Sequence, residues 1–242
     1  MTVRLIAALL ACTSSAPLLV TQATFEGKLR MRTIELQLEE AGLKESWLDV
    51  APATLAARED ADVDEASLQI RNNVMRMENT DGTQGFALLD FGRRMMTAVD
   101  GESRSYLEFP MPAADQMPAA GPARPALPTV KPLGQTRTMN GVKVTGYEIR
   151  SRDQIIRAWM TQDFPGLTWT FRAAAAQGEG SDDPEAASIA QLGRYGFPVL
   201  LITLTDRSVQ YEETVSIERG ALSADLFKVP AGFTKRTIPG GP

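Results

Sequence analysis

The stretch 196–236, GFPVLLITLTDRSVQYEETVSIERGALSADLFKVPAGFTKR, constrains the fold more than any other part of the chain. Val199, Leu201, Thr203 and Thr205 alternate with Leu200, Ile202 and Leu204. Its first arm is therefore apolar on both sides, and a strand of that kind needs cover on both faces. Asp206-Arg207 supplies a two-residue turn. The return arm alternates Val209, Tyr211, Glu213, Val215 and Ile217 with Ser208, Gln210, Glu212, Thr214 and Ser216. That is the pattern of an antiparallel strand with one buried side and one wet side. The tail, 226–233, closes on a Pro-Ala-Gly turn.

The rest of the chain repeats this grammar. Phe25, Leu29 and Met31 alternate with charged neighbours, and the apolar phase slips at Thr33-Ile34 to continue through Leu36 and Leu38. A bulge at that point would re-aim the face. Residues 39–66 read as an acidic, alanine-rich insert with a short helix over about 53–59, ending in a solvated acidic loop. Between 68 and 109 short apolar runs are separated by Asn72-Asn73, Asp81-Gly82, Gly92-Arg93 and Asp100-Gly101, where Asn and Gly supply the positive φ of tight turns. Seven of the 15 prolines fall in 110–133, which reads as a second insert that cannot pair within a central strand. The sheet resumes at 135–162 around Asn140-Gly141, the strongest hairpin signal in the chain. Residues 163–194 read as helical. One helix carries Leu167, Phe171, Ala174 and Ala175 on one face and stops at Gly178 and Gly180. A second is capped by Asp183 with Pro184 at its first position and buries Ala187, Ile189 and Leu192. The expected fold is mainly β, a curved antiparallel sheet with a few helices packed on its concave face.

Residues 1–23 read as an export signal. Arg4 precedes an apolar run, and Thr21 and Ala23 stand at the positions that a signal peptidase inspects. Cleavage after Ala23 would leave a periplasmic domain, 24–242, without cysteine. Leu9-Leu10-Ala11-Cys12 offers a competing cut, in which Cys12 would be acylated as a lipoprotein anchor. No other apolar run reaches the length of a membrane span.

Composition narrows the chemistry. The net charge of -5 argues against a nucleic-acid partner. The chain has no histidine, and its single cysteine lies in the signal. Histidine-dependent catalysis, thiol catalysis and Cys/His metal sites are therefore excluded. The acidic run 59–65 lacks the glycine and spaced ligands of a calcium loop. The Gly178-Glu179-Gly180-Ser181 stretch lacks the lysine of a phosphate loop. The expectation is a non-enzymatic protein with no cofactor. Its candidate ligand-binding residues are Met75, Met95, Tyr147, Trp159, Phe171 and Phe197, adaptable and aromatic side chains suited to lining an apolar cavity, although each also suits an ordinary core.

The order of elements carries a resemblance. An exported Phe-Glu-Gly-x-Leu strand is followed by Met75-Arg76-Met77, then Asn140-Gly141 with Gly146-Tyr147-Glu148. Ala158-Trp159-Met160-Thr161, Asp163-Phe164-Pro165 and Gly196-Phe197-Pro198-Val199 come next. Ser216-Ile217-Glu218-Arg219-Gly220 and Leu226-Phe227-x-Val229-Pro230-Ala231-Gly232-Phe233 complete the set. Together these resemble the bacterial envelope domain-of-unknown-function family numbered 4412, over about 24–235. The resemblance implies the half-barrel fold of the lipoprotein carrier LolA, whose helices lie against an unclosed sheet over a cavity for acyl chains. It thereby implies a lipid or a lipoprotein acyl chain as the bound partner. The alternative is a structural or protein-interaction module of the periplasm, with a side-chain-filled core and an envelope protein as partner.

Overall fold

The computed structural model describes residues 25–40, 42–79, 85–111, 129–164, 166–168, 171, 188–189 and 191–237. The signal, Cys12, the Asp81-Gly82 turn, most of the proline-rich insert and the Gly178, Gly180, Asp183 and Pro184 helix signals lie outside the described residues. Twelve strands form one sheet. They are β1 (Glu26–Gln37), β2 (Ala61–Arg71), β3 (Val74–Asn79), β4 (Gly85–Asp90), β5 (Met95–Asp100), β6 (Ser105–Pro110), β7 (Val130–Met139), β8 (Val142–Arg150), β9 (Gln154–Thr161), β10 (Phe197–Thr205), β11 (Ser208–Arg219) and β12 (Thr234–Lys235). Across the sheet the order is β12-β6-β5-β4-β3-β2-β1-β11-β10-β9-β8-β7, an open sheet with two ends. Two antiparallel meanders, β2 to β6 and β7 to β11, meet on either side of β1. The last pair departs from the antiparallel expectation, for β12 adds to β6 in parallel.

The turns follow local chemistry with one adjustment. Asn140 and Gly141 take φ of 48° and 78°, as a two-residue hairpin turn requires, and Asn72 takes 54°. In the two turns after β4 and β5, however, the positive φ falls on Arg94 (56°) and Arg104 (49°), not on Gly92 or Gly101.

The slip in β1 has a different cause from the bulge that its sequence suggests. β1 pairs one-for-one with β2 from Glu26↔Arg71 to Leu36↔Ala61. What changes is the face that is covered. Leu29 is buried on one side of the sheet and Ile34 and Leu36 on the other, so the burial phase inverts without an extra residue. The bulge lies in β11, where Arg30 faces Ser216 and Met31 faces Thr214, leaving Val215 over. The even alternation read for β11 therefore breaks: Val209 and Tyr211 are buried on one face, while Ile217 packs on the other.

The acidic insert is shorter than 39–66. Its last six residues, Ala61 to Ala66, are strand, because Val63 and Ala61 stand opposite Ile34 and Leu36 while Asp62 and Asp64 point to solvent. Pairing along β1 overrides the poor strand preference of aspartate. The connection that remains, 38–60, holds a 3-10 turn (Glu45–Asp49) and the one-turn helix α1 (Pro52–Ala56). β7 likewise begins at Val130, inside the proline-rich insert. Pro132 is tolerated because β7 ends the sheet.

Candidate functional site

Each face of the sheet carries its own apolar layer. The Leu29 face gathers Leu29 on β1, Leu68, Ile70, Met75, Met77, Ala87 and Leu89 on one meander, and Ile149, Ile156, Ala158, Met160 and Leu201 on the other. Helical residues of the β9–β10 connection lie over it. Leu167 packs on the first group, Leu192 and Ile189 on the second, and Phe171 touches both. Leu167, Leu192 and Leu29 are fully buried, and each contributes about 1.5–3 kcal/mol of transfer free energy. The sequence places this cover by way of Gly196. At φ 135° a side chain there would collide with the Thr161 carbonyl, 2.2 Å from the Cβ position, so only glycine lets the connection turn down into β10.

The distinguishing feature of this layer is methionine. Met31, Met75, Met77, Met96 and Met160 all belong to it, half of the chain's ten. Five phenylalanines, Phe25, Phe91, Phe164, Phe171 and Phe197, complete it, and Phe164 also touches the Tyr211 layer. Phe171 meets Phe197 edge-on at 6.1 Å, and Phe25 meets Phe164 edge-on at 6.1 Å. At the far side Tyr147 lies against Tyr195 with ring centroids 4.4 Å apart. Burial, and then the neighbouring Tyr195, push the Tyr147 hydroxyl above its ordinary pKa.

The six candidate residues therefore separate. Met75, Phe171 and Phe197 share one cluster, and Tyr147 joins them through Phe171. Trp159 and Met95 do not. Trp159 pairs with Leu200 and belongs to the opposite layer with Ile34, Tyr211 and Ile202. Met95 stands opposite Asp90, one position out of phase with Met96, on that same opposite face. The sequence alone could not assign these faces: for Trp159 the assignment runs through the Val215 bulge of β11, and for Met95 through the register of four successive strand pairs from β1 to β5. The missed members are Leu167, Leu192 and Met160. Their apolar character was visible, but which side they share was not.

The Tyr211 face is fastened by polar groups. The strap, residues 38–60, buries Leu48 and Leu55 over Tyr211, Val209 and Ile34. The Tyr211 hydroxyl donates to the backbone carbonyls of Trp47 and Val50, the latter at 3.1 Å. Burial first, then the charge of Asp49, push this hydroxyl up to about 12. Arg150 forks onto Glu45 at 2.6 and 3.1 Å, and Arg157 reaches Asp49 at 2.7 Å. Glu148 lies between the two arginines, 2.9 Å from Arg150 and 3.0 Å from Arg157. Burial pushes its carboxyl up, but the two guanidinium hydrogen bonds outweigh that and hold it below its ordinary value. Beyond the strap, the tail after β11 crosses the same face. Arg76 stacks on Phe86 at 3.4 Å and donates to the Leu226 carbonyl at 2.8 Å. Among the described residues no group of three acidic, histidine or cysteine side chains could hold a metal, and no helix is long and apolar enough to cross a membrane.

The sequence model of the family described as Domain of unknown function (DUF4412) matches residues 55–233. No curated protein matches. Among solved structures, MucB in complex with MucA(peri) aligns with TM-score 0.41 and 11% identity, covering 88% of this chain and 57% of MucB. PNGF-II in its C2 crystal form aligns with TM-score 0.37 and 12% identity, covering 86% of this chain and 31% of PNGF-II. The chain thus spans about a third of PNGF-II and somewhat over half of MucB.

Proposed function

We propose, from the premise that this chain belongs to the DUF4412 family, that it is an exported, non-enzymatic binding protein that takes up an apolar group against its Leu29 face. The observation that supports this reading is the concentration of five methionines and five phenylalanines in that one layer, beneath a helical connection. Methionine is unbranched and polarizable, so a methionine-rich layer repacks around an irregular guest at little cost. A core serving stability alone is more often built from leucine, isoleucine and valine. That branched set fills the Tyr211 layer, with Leu36, Leu48, Leu55, Val142, Val144, Ile155, Leu200, Ile202 and Leu204. The guest would be a hydrocarbon chain, free or carried on a lipoprotein. Residues 1–23 support export, with release after Ala23 and anchoring through Cys12 as the competing outcome. The absence of histidine from the sequence supports a binding role over catalysis.

The test is titration of the mature chain, 24–242, with a fluorescent 18-carbon fatty acid. The proposal expects saturable enhancement, competed by hexadecanoate and weakened several-fold in Met75→Leu/Met77→Leu, which keeps the layer apolar but stiffens it. No saturable binding, or binding indifferent to that pair of changes, overturns it. The mass of the chain recovered after expression in a bacterial host decides between the two cuts.

A further inference from the structure

The two ends of the sheet are finished differently. At the β6 end the chain's own tail adds as a strand. Thr234 donates its N–H to the Arg104 carbonyl at 3.0 Å, and Arg236 donates to the Tyr106 carbonyl at 2.8 Å. Lys235 of the incoming strand then meets Glu108 of the edge at 2.5 Å. The molecule thus contains one worked instance of strand addition, with an acid on the edge and a base on the guest.

At the β7 end no described strand pairs with the outer side. The first half of this edge is blunted, because Pro132 removes a donor and the register breaks between Pro132 and Thr136 around Gly134 at φ 68°. The second half is regular. Thr136 to Met139 pair one-for-one with Thr145 to Val142. The two-residue Asn140-Gly141 turn makes Met139↔Val142 and Arg137↔Val144 the hydrogen-bonded pairs, which leaves the N–H and C=O of Thr136 and Thr138 directed outward. The charge on this edge is of one sign: β7 carries Lys131 and Arg137 and no carboxylate. Arg137 is also held in place. Its guanidinium lies 3.5 Å from the centre of the Trp159 ring, and that ring fits closely over Gly146, where a side chain would come within 3.1 Å of it. Burial, and then the charge of Arg157, lower its pKa from the ordinary arginine value. It makes no ion pair among the described residues.

We infer that the Thr136–Met139 edge is a docking site for an extended acidic segment of a partner protein, which adds as a further strand and sets a carboxylate against Arg137. This reverses the charge arrangement at the β6 end, and it stands on an observation separate from the methionine layer. A second copy is the poorer guest, since β7 against β7 brings Lys131 and Arg137 of both strands together.

The test uses the mature chain and two ten-residue probes, one alternating Thr and Glu, the other Thr and Lys, with amide hydrogen exchange as the readout. The Thr-Glu probe is expected to slow exchange at Thr136 and Thr138, and the Thr-Lys probe to leave both unchanged. Thr138→Pro, which removes only an outward donor, should weaken Thr-Glu binding about tenfold or more, and Arg137→Gln about tenfold with loss of its salt dependence. Equal response to the two probes, no protection at Thr136 and Thr138, or a dimer that Thr138→Pro dissolves would each overturn the inference. The wild-type comparison decides the matter even if a variant folds poorly.

Discussion

The strap and the β9–β10 connection cover opposite faces of one sheet, and different chemistry holds them there. The strap is a 3-10 turn and a one-turn helix, too short to persist alone. It stays down because Leu48 and Leu55 are buried, the Tyr211 hydroxyl ties two of its carbonyls, and Glu45 and Asp49 reach arginines on β8 and β9. Leu167, Phe171, Ile189 and Leu192 of the β9–β10 connection pack onto a surface rich in methionine, and polar contacts join at its start, where the Lys143 N–H and the Arg219 guanidinium donate to Asp163. The contrast teaches where specificity resides. Directional bonds fix the strap on its face, whereas burial against methionine is not directional.

Truncating the two covers separates them most strongly. Leu55→Ala and Leu192→Ala each remove a fully buried side chain and should each cost about 2–5 kcal/mol in denaturant unfolding. The comparison predicts that only Leu192→Ala also changes the affinity for an acyl probe. Equal effects on that affinity would collapse the distinction between the faces.

Tyr211→Phe is the next largest effect. It takes the hydroxyl from the Val50 carbonyl and leaves the Trp47 carbonyl only the 3.4 Å bond from the Val50 N–H, and should cost about 1–3 kcal/mol. It also carries a pH signature. The folded pKa of Tyr211 is raised from 10.0 to about 12. The stability it contributes is therefore complete below pH 10 and is lost as pH rises from there through about 12. Thermal melts between pH 9 and about 12 should fall more steeply for the wild type than for Tyr211→Phe, and parallel curves would remove the hydroxyl from the account.

Arg150→Met should have the smallest effect. Arg150 and Glu45 are both largely exposed, so the change should cost less than about 1 kcal/mol, and the cost should shrink further in 1 M salt. A larger, salt-independent loss would show that packing by the Arg150 stem, not its charge, holds the strap.

How much of this was legible in the sequence varies with the range of the interaction that decides it. The β10–β11 hairpin and the Asn140-Gly141 turn are set by neighbours two to four residues apart, and both form where the sequence predicts them. The acidic half of β2 was hidden because aspartate disfavours strands locally, and only pairing with β1 makes Ala61 to Glu65 extended. The site was legible as residue types and not as an assembly. Phe171 and Phe197 come together through the connection between β9 and β10. Trp159 lies two residues along from Arg157 and shares its face, opposite Ala158 and Met160. No alternation within a single strand says which of those faces will meet the helices.

The central claim is that the methionine-rich Leu29 face accepts an apolar guest. Native mass spectrometry of residues 24–242, recovered from a bacterial host without detergent and then mixed with hexadecanoate, tests it most directly. The account predicts a one-to-one adduct that dissociates on collisional activation and is diminished by Met75→Leu/Met77→Leu. A bare chain at every concentration of the fatty acid would contradict it and leave the layer as a filled core.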